Sequence, residues 1–246
     1  MIHVFVGPTL PVEEARRELD ATYCPPAARG DVYRAVEKGA RVIGIVDGYF
    51  DTTPSVWHRE ILWAIAEGVH VFGAASMGAL RAAELDVFGM EGVGYVYQAF
   101  SAGLLQDDDD VAVTHATAEY GYRQASEAMV NIRATLAGAA RQGVIGDDTA
   151  RLLERCTKGL FYADRSYERL CRTGGESGAP AKEIDALRRW LPSGRIDVKR
   201  ADAMQMLEVI RKRTVTAPAP KQVGYRFEHT LTWESLLRHC AASDAK

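Results

Sequence analysis

The sequence has no paired cysteines. Its four, Cys24, Cys156, Cys171 and Cys240, stand far apart with no C-x-x-C spacing, which excludes a zinc knuckle and argues against a disulfide framework. No apolar run approaches the roughly 18 residues that a membrane helix needs. Neither sign of charge dominates: 30 Lys and Arg against 33 Asp and Glu leave a net −3, so no nucleic-acid surface is marked out. Basic residues gather after residue 140, but they alternate with acids and read as solvated helix faces. Glycine loops of Walker or dinucleotide-binding spacing are missing, and so is any internal repeat. The opening Met1-Ile2-His3-Val4-Phe5-Val6-Gly7 enters a strand with no signal peptide ahead of it. Together with unpaired thiols this sets the expectation of a cytoplasmic protein. What is present is ordinary for a globular chain: 246 residues, 47% hydrophobic and 26% charged, enough for a sizeable core.

The first half alternates strand and helix signals. Ile2–Val6 is a β-branched run closed by Gly7-Pro8-Thr9, and Pro11 suits the first turn of a helix running through Leu19. Gly30-Asp31 opens a second helix to about Lys38. Arg41–Val46 is a buried strand ending at Asp47-Gly48-Tyr49-Phe50, Thr53-Pro54 starts a helix through Glu67, and Val69–Ala75 is the next strand. This rhythm predicts an α/β fold: a mostly parallel open sheet with helices on both faces, followed by a smaller all-helical C-terminal region. Val111, Val113 and His115 alternate onto one face of a further strand. From about Ala118 the pattern is helical: Ala118–Arg141, Asp147–Lys158, Asp164–Arg172, Ala181–Leu191 and Asp197–Arg213, with Gly174-Gly175-Glu176-Ser177-Gly178 as a flexible joint. The expected division is an α/β core domain over 1–140, a helical region over 141–215 and a tail over 216–246.

The chemistry centres on Gly73-Ala74-Ala75-Ser76-Met77-Gly78-Ala79, which reads as strand, tight turn and helix start. A serine there sits at the positive end of the helix dipole beside amides with no intrahelical partner. That is the setting of a nucleophile elbow with an oxyanion hole, although Ala74 stands where the motif has glycine. The same residues also describe a plain N-cap. Parallel strands bring Gly7-Pro8-Thr9 and Asp47-Gly48 to the same carboxyl edge as Ser76, Met77 and Gly78, where ligands bind in open α/β sheets. Two histidines are candidate bases. His58 falls on an apolar helical stripe with Trp57, Ile61, Leu62 and Ile65, and His115 is followed four residues on by Glu119. Arg81 stands one turn from Glu84 and is either its ion-pair partner or a carboxylate clamp. Asn131 and Arg133 either face the site or cap neighbouring segments. Asp107–Asp110 reads as a solvated acidic loop rather than a metal site.

The strings Val6-Gly7-Pro8-Thr9-Leu10, Ile45-Val46-Asp47-Gly48-Tyr49-Phe50, Val56-Trp57-His58-Arg59-Glu60-Ile61-Leu62, Gly73 to Leu85 and Met129 to Thr135 together resemble the TfuA-like family. The resemblance implies a partner of YcaO enzymes, which use ATP to activate a peptide amide for replacement of its oxygen by sulfur. It further implies hydrolysis of the C-terminal thiocarboxylate of a ThiS-like, ubiquitin-fold sulfur carrier, with sulfide delivered to YcaO. The residues themselves, not the resemblance, put Ser76 at that acyl carbon, either as the attacking nucleophile or as the group that positions the carbonyl for direct attack by water, and they show no home for a metal or a nucleotide. The alternatives are a non-catalytic adaptor or allosteric activator that recruits the carrier to YcaO, and an unrelated esterase or peptidase.

Overall fold

The computed structural model describes residues 1–51 and 53–244. The chain divides into two compact units, one formed by Met1–Leu104 with Arg200–Lys246 and the other by Leu105–Lys199. The 140 boundary expected from sequence therefore falls inside a helix of the second unit.

The first unit runs β1 (Ile2–Phe5), α1 (Val12–Glu18), β2 (Thr22–Cys24), α2 (Asp31–Glu37), β3 (Val42–Ile45), α3 (His58–Ala66), β4 (His70–Ala74), α4 (Met77–Leu85), β5 (Glu91–Val93) and α5 (Tyr95–Ser101). Among the described residues the sheet has five strands, all parallel, in the order β2-β1-β3-β4-β5. Alternate residues of each strand feed opposite faces, as the two-residue period requires. Phe5, Ile43, Ile45 and Val71 join a core with α2, α3 and α4. Val4, Val6, Val42, Val46, Phe72 and Ala74 pack on the other face with Ala15 of α1. Burial on both faces explains why these strands read as continuous apolar runs.

The second unit holds α6 (Met129–Arg141), α7 (Asp147–Lys158), α8 (Tyr167–Glu176) and α9 (Ala181–Gly194) around its own core of Met129, Ile132, Leu153, Leu170 and Leu187. The chain then returns through α10 (Val198–Arg213) and α11 (Leu231–Asp244). Within the first unit, Ala203, Met206, Leu207 and Ile210 of α10 cover the α1 face of the sheet. Trp233 and Leu236 of α11 enter the opposite core. The segment expected as a tail is thus built into the α/β unit.

Several local expectations are corrected. Helix α3 begins at His58 rather than at Thr53-Pro54, because the Pro54 carbonyl accepts from the Arg29 amide and Ser55 bridges Ala28; the chain stays extended there. Residues 111–115 form no strand: a 3-10 turn at Asp108–Asp110 precedes a single bridge between His115 and Gln124. The long helix starts at Met129, eleven positions later than expected, after a 3-10 turn at Ala118–Tyr120. Gly174 and Gly175 lie inside α8 rather than in a joint, and a Cβ on Gly174 would overlap the Leu153 side chain. Its absence lets α8 approach α7 closely.

Candidate functional site

The direction of winding reverses between β1 and β3, since β2 lies on one side of β1 and β3–β5 on the other. The crevice at the carboxyl ends of two such strands is where doubly wound sheets bind ligands. Here those ends carry Gly7-Pro8-Thr9 and Asp47-Gly48. Asp47, 1% exposed, accepts from the amides of Gly7 at 2.9 Å and Thr9 at 3.0 Å and from the Thr9 hydroxyl at 2.5 Å. Its carboxylate is committed to shaping the first loop. Gly48 bridges Ala27, whose amide donates to the Asp47 carbonyl, so a third segment joins the same edge.

Ser76 follows β4 in a tight turn. Ala75 holds φ +67, and the Ser76 amide reaches back two residues to the Ala74 carbonyl at 2.8 Å. A γ-turn of this hand is rare and strained for a residue with a Cβ. The strain is held in place by glycines. A Cβ on Gly78 would overlap the Ile45 carbonyl, and one on Gly73 would overlap the Gly78 carbonyl, so α4 sits hard against β3 and β4. Ser76 itself is 3% exposed and occupies the N-cap position without making the capping bond. Its hydroxyl makes no hydrogen bond among the described residues, and its oxygen is not one of the solvent-inaccessible polar atoms left without a partner, so it keeps contact with solvent. Of the amides around it, Gly78 donates to the Val46 carbonyl at 3.2 Å, while that of Met77 meets no acceptor among the described residues. One helix-start N–H therefore remains to receive an anion, fewer than an unobstructed helix start offers.

Arg81 is 8% exposed and fully engaged. It donates to the Val56 carbonyl at 3.1 Å, to Glu84 at 2.7 Å and to the Ser55 hydroxyl at 3.5 Å. Glu84 also meets His58 Nε2 at 2.8 Å. Burial pushes the Glu84 carboxyl up, but His58 and Arg81 together hold it below the usual carboxylate range. His58 does not face the core as its stripe predicts. Because α3 starts at this residue, His58 lies on the surface with 43% of its side chain exposed. Glu84 stands eight positions beyond Ser76 on α4, about 12 Å along the axis, so its histidine partner is not aimed at the Ser76 hydroxyl.

Sequence reasoning passed over Glu60. It is completely buried and accepts from the amides of Gly30 at 3.0 Å, Val32 at 3.1 Å and Tyr33 at 3.4 Å, which open α2, and from that of Trp57 at 2.8 Å. Burial pushes its carboxyl up to about 7 against the pull of these amides. The visible signal was its place three residues after the N-cap Trp57, the spacing of a capping glutamate.

The remaining predicted residues belong to the second unit. His115 Nδ1 donates to the Ala116 carbonyl at 2.8 Å, and its ring meets Tyr122 edge to face at 5.7 Å. Glu119 lies exposed in the 3-10 turn and makes no bond to that histidine among the described residues. Asn131 donates to Glu127 and Asp197, both at 3.0 Å, and accepts from the amides of Val198 at 3.0 Å and Lys199 at 3.3 Å at the start of α10. Arg133 pairs with Asp110 at 2.9 Å and Glu154 at 2.8 Å. The acidic run is solvated only in its first half: Asp107 and Asp108 are exposed, whereas Asp109 and Asp110 are drawn into ion pairs. Lys158 meets Asp107 at 3.0 Å, Asp110 at 2.8 Å and Asp109, and the buried Arg165 pairs with Asp109. The three carboxylates that converge closely enough to hold a cation already surround the Lys158 ammonium.

Residues 47–166 match the family model described as TfuA-like protein. No curated protein matches the chain.

Proposed function

The chain belongs to the TfuA-like family, a family associated with YcaO-dependent thioamidation, and on that premise we propose that it hydrolyses the C-terminal thiocarboxylate of a ThiS-like sulfur carrier and delivers the sulfide to a YcaO enzyme. The observation that supports this reading is the Ser76 elbow: a hydroxyl free of hydrogen bonds at a strained turn, beside an amide that lacks an acceptor, both among the described residues. In the proposed reaction the Ser76 oxygen adds to the terminal acyl carbon, losing its proton to solvent or a base. The Met77 N–H receives the oxyanion. Collapse expels hydrosulfide and leaves an ester on Ser76, and water then cleaves the ester to free the carrier's carboxylate. The acyl carbon was activated when the sulfur was installed, so this step needs no external energy.

An extended carrier tail suits the edge between Gly7-Pro8-Thr9 and Asp47-Gly48, whose backbone Asp47 fixes. The test is incubation of the purified, desalted chain with a thiocarboxylated carrier and measurement of sulfide. Catalytic release supports hydrolysis. Binding of the carrier with no release of sulfide replaces this reading with that of a non-catalytic adaptor, and turnover of simple activated esters without any carrier replaces it with that of a general esterase.

A further inference from the structure

The sheet edge that carries Ser76 also carries Arg29, all within the first unit. The Met77 side chain packs on Gly48, where a Cβ would overlap it. Gly48 in turn pairs with Ala27, and Ala28 bridges Ser55. The segment 27–29 therefore lies along the same carboxyl edge, two strand spacings, or about 10 Å, from the strand that leads to Ser76. Arg29 is pinned there. Its amide donates to the Pro54 carbonyl at 2.9 Å. The next amide, that of Gly30, is held by the buried Glu60, which also holds the Trp57 amide at 2.8 Å. One carboxylate thus fixes the backbone on both sides of a contact between the half-buried side chains of Arg29 and Trp57. The guanidinium stands over the indole, 4.4 Å from the ring centroid.

This guanidinium has no counter-charge. It makes no ion pair and no side-chain hydrogen bond among the described residues, although two acids stand close by. Asp31 accepts from the Ala28 amide at 2.8 Å and pairs with Arg34 at 2.6 Å, and Glu60 is taken by backbone amides. Of the three guanidinium nitrogens only Nε is sealed from solvent, so Nη1 and Nη2 are the donors left open. Two coplanar N–H groups on a fixed positive charge match the two oxygens of a carboxylate. A ring beneath the guanidinium holds that plane in place before anything binds, so less side-chain freedom is lost on binding.

We propose that Arg29, backed by Trp57, anchors a side-chain carboxylate of the sulfur carrier and so selects which carrier docks. This assignment rests on the thiocarboxylate reading above. The carrier's reacting terminus belongs at Ser76, and 10 Å of extended chain is about three residues. The carboxylate that Arg29 meets therefore lies upstream of that terminus and takes no part in the reaction. Arg29 contributes affinity and specificity, and Ser76 acts on the end of the tail.

The experiment measures, by calorimetry, binding of a ThiS-like carrier in its carboxylate form to the full chain carrying Ser76→Ala. Arg29→Met in that background keeps an unbranched stem against Trp57 and removes the charge. Binding about tenfold weaker is the result expected from loss of one charge-assisted contact. Arg29→Lys should recover only part of it, because an ammonium lacks the planar fork. The carrier's acidic residues are then changed to amides one at a time. One such change should weaken binding to the chain with Arg29 and leave binding to the Arg29→Met chain as it was. With Ser76 intact, Arg29→Met should raise KM for the carrier far more than it lowers kcat, a split that misfolding does not produce. Equal binding with and without Arg29, or no carrier carboxylate coupled to it, overturns the anchor, and sulfide release by the native chain then still supports hydrolysis. Binding that depends on Arg29 without sulfide release overturns hydrolysis and keeps the anchor. A native chain that does not bind the carrier overturns both.

Discussion

Ser76 differs from an ordinary N-cap in that its hydroxyl satisfies no backbone donor. A capping bond is worth about 1 kcal/mol; without one, Ser76→Ala should cost less than that in urea unfolding. The serine among small residues was legible because close helix–strand packing demands such residues. The positive φ at Ala75 was not, because alanine carries no signal for the left-handed region. His58 shows the opposite case: a helical stripe drawn from Thr53 turns it inward, and the true start at His58 turns it outward toward Glu84. An exposed ion pair contributes at most about 1 kcal/mol, so His58→Ala should change the denaturation midpoint little. Asp109 is of greater weight. It pairs with Arg165, whose side chain is fully buried while that of Asp109 is 32% exposed; Arg165 keeps the carbonyls of Asp109, Lys158 and Leu160 as acceptors, so losing the carboxylate costs about 1–2 kcal/mol, the worth of a hydrogen bond to a charged group. Asp109→Ala should therefore destabilise the second unit by that order in calorimetry. Burial raises the Asp109 carboxyl, but Lys158 and Arg165 outweigh it and hold the pKa below the ordinary value. A depressed folded pKa means that the contribution is intact above the unfolded pKa of about 3.9 and is lost as pH falls through the folded one. The acid limb of the stability profile should flatten in Asp109→Ala.

At the scale of elements, the glycines separate those that permit contact from those that merely occur. Gly78→Ala would place a methyl on the Ile45 carbonyl, which forces α4 away from β3 and dismantles the Ser76 turn. The expected outcome is loss of soluble, cooperatively folding protein. Gly175 lies in α8 with open space around it, and Gly175→Ala should stabilise by about 0.5–1 kcal/mol through helix propensity alone. Urea unfolding of the two variants should move in opposite directions. The central strands were readable because burial on both faces makes them uninterrupted apolar runs. The short edge strands β2 and β5 were not, having three residues each. Helix α5 was hidden behind Gly92 and Gly94; its first amides, those of Tyr95 and Val96, are held by Asp202 at 2.9 and 2.7 Å, a partner more than a hundred residues away.

At the scale of the whole molecule, the chain leaves the α/β unit after Leu104 and re-enters it at Arg200, a return that local periodicity does not encode. Trp233 shows the consequence. It is 1% exposed and meets Trp63 at 5.3 Å and Phe227 at 4.9 Å between ring centroids. Trp233→Ala should cost about 3–5 kcal/mol, far more than a change in a solvent-exposed tail, as guanidinium unfolding would register. The central claim is that this α/β unit exists to present Ser76 to a thiocarboxylate. The most direct measurement compares sulfide release from a thiocarboxylated carrier protein by the native chain and by Ser76→Ala, both shown to be folded. The account predicts steady turnover by the native chain and a loss of about a thousandfold or more in the variant. Equal turnover by the two would contradict it.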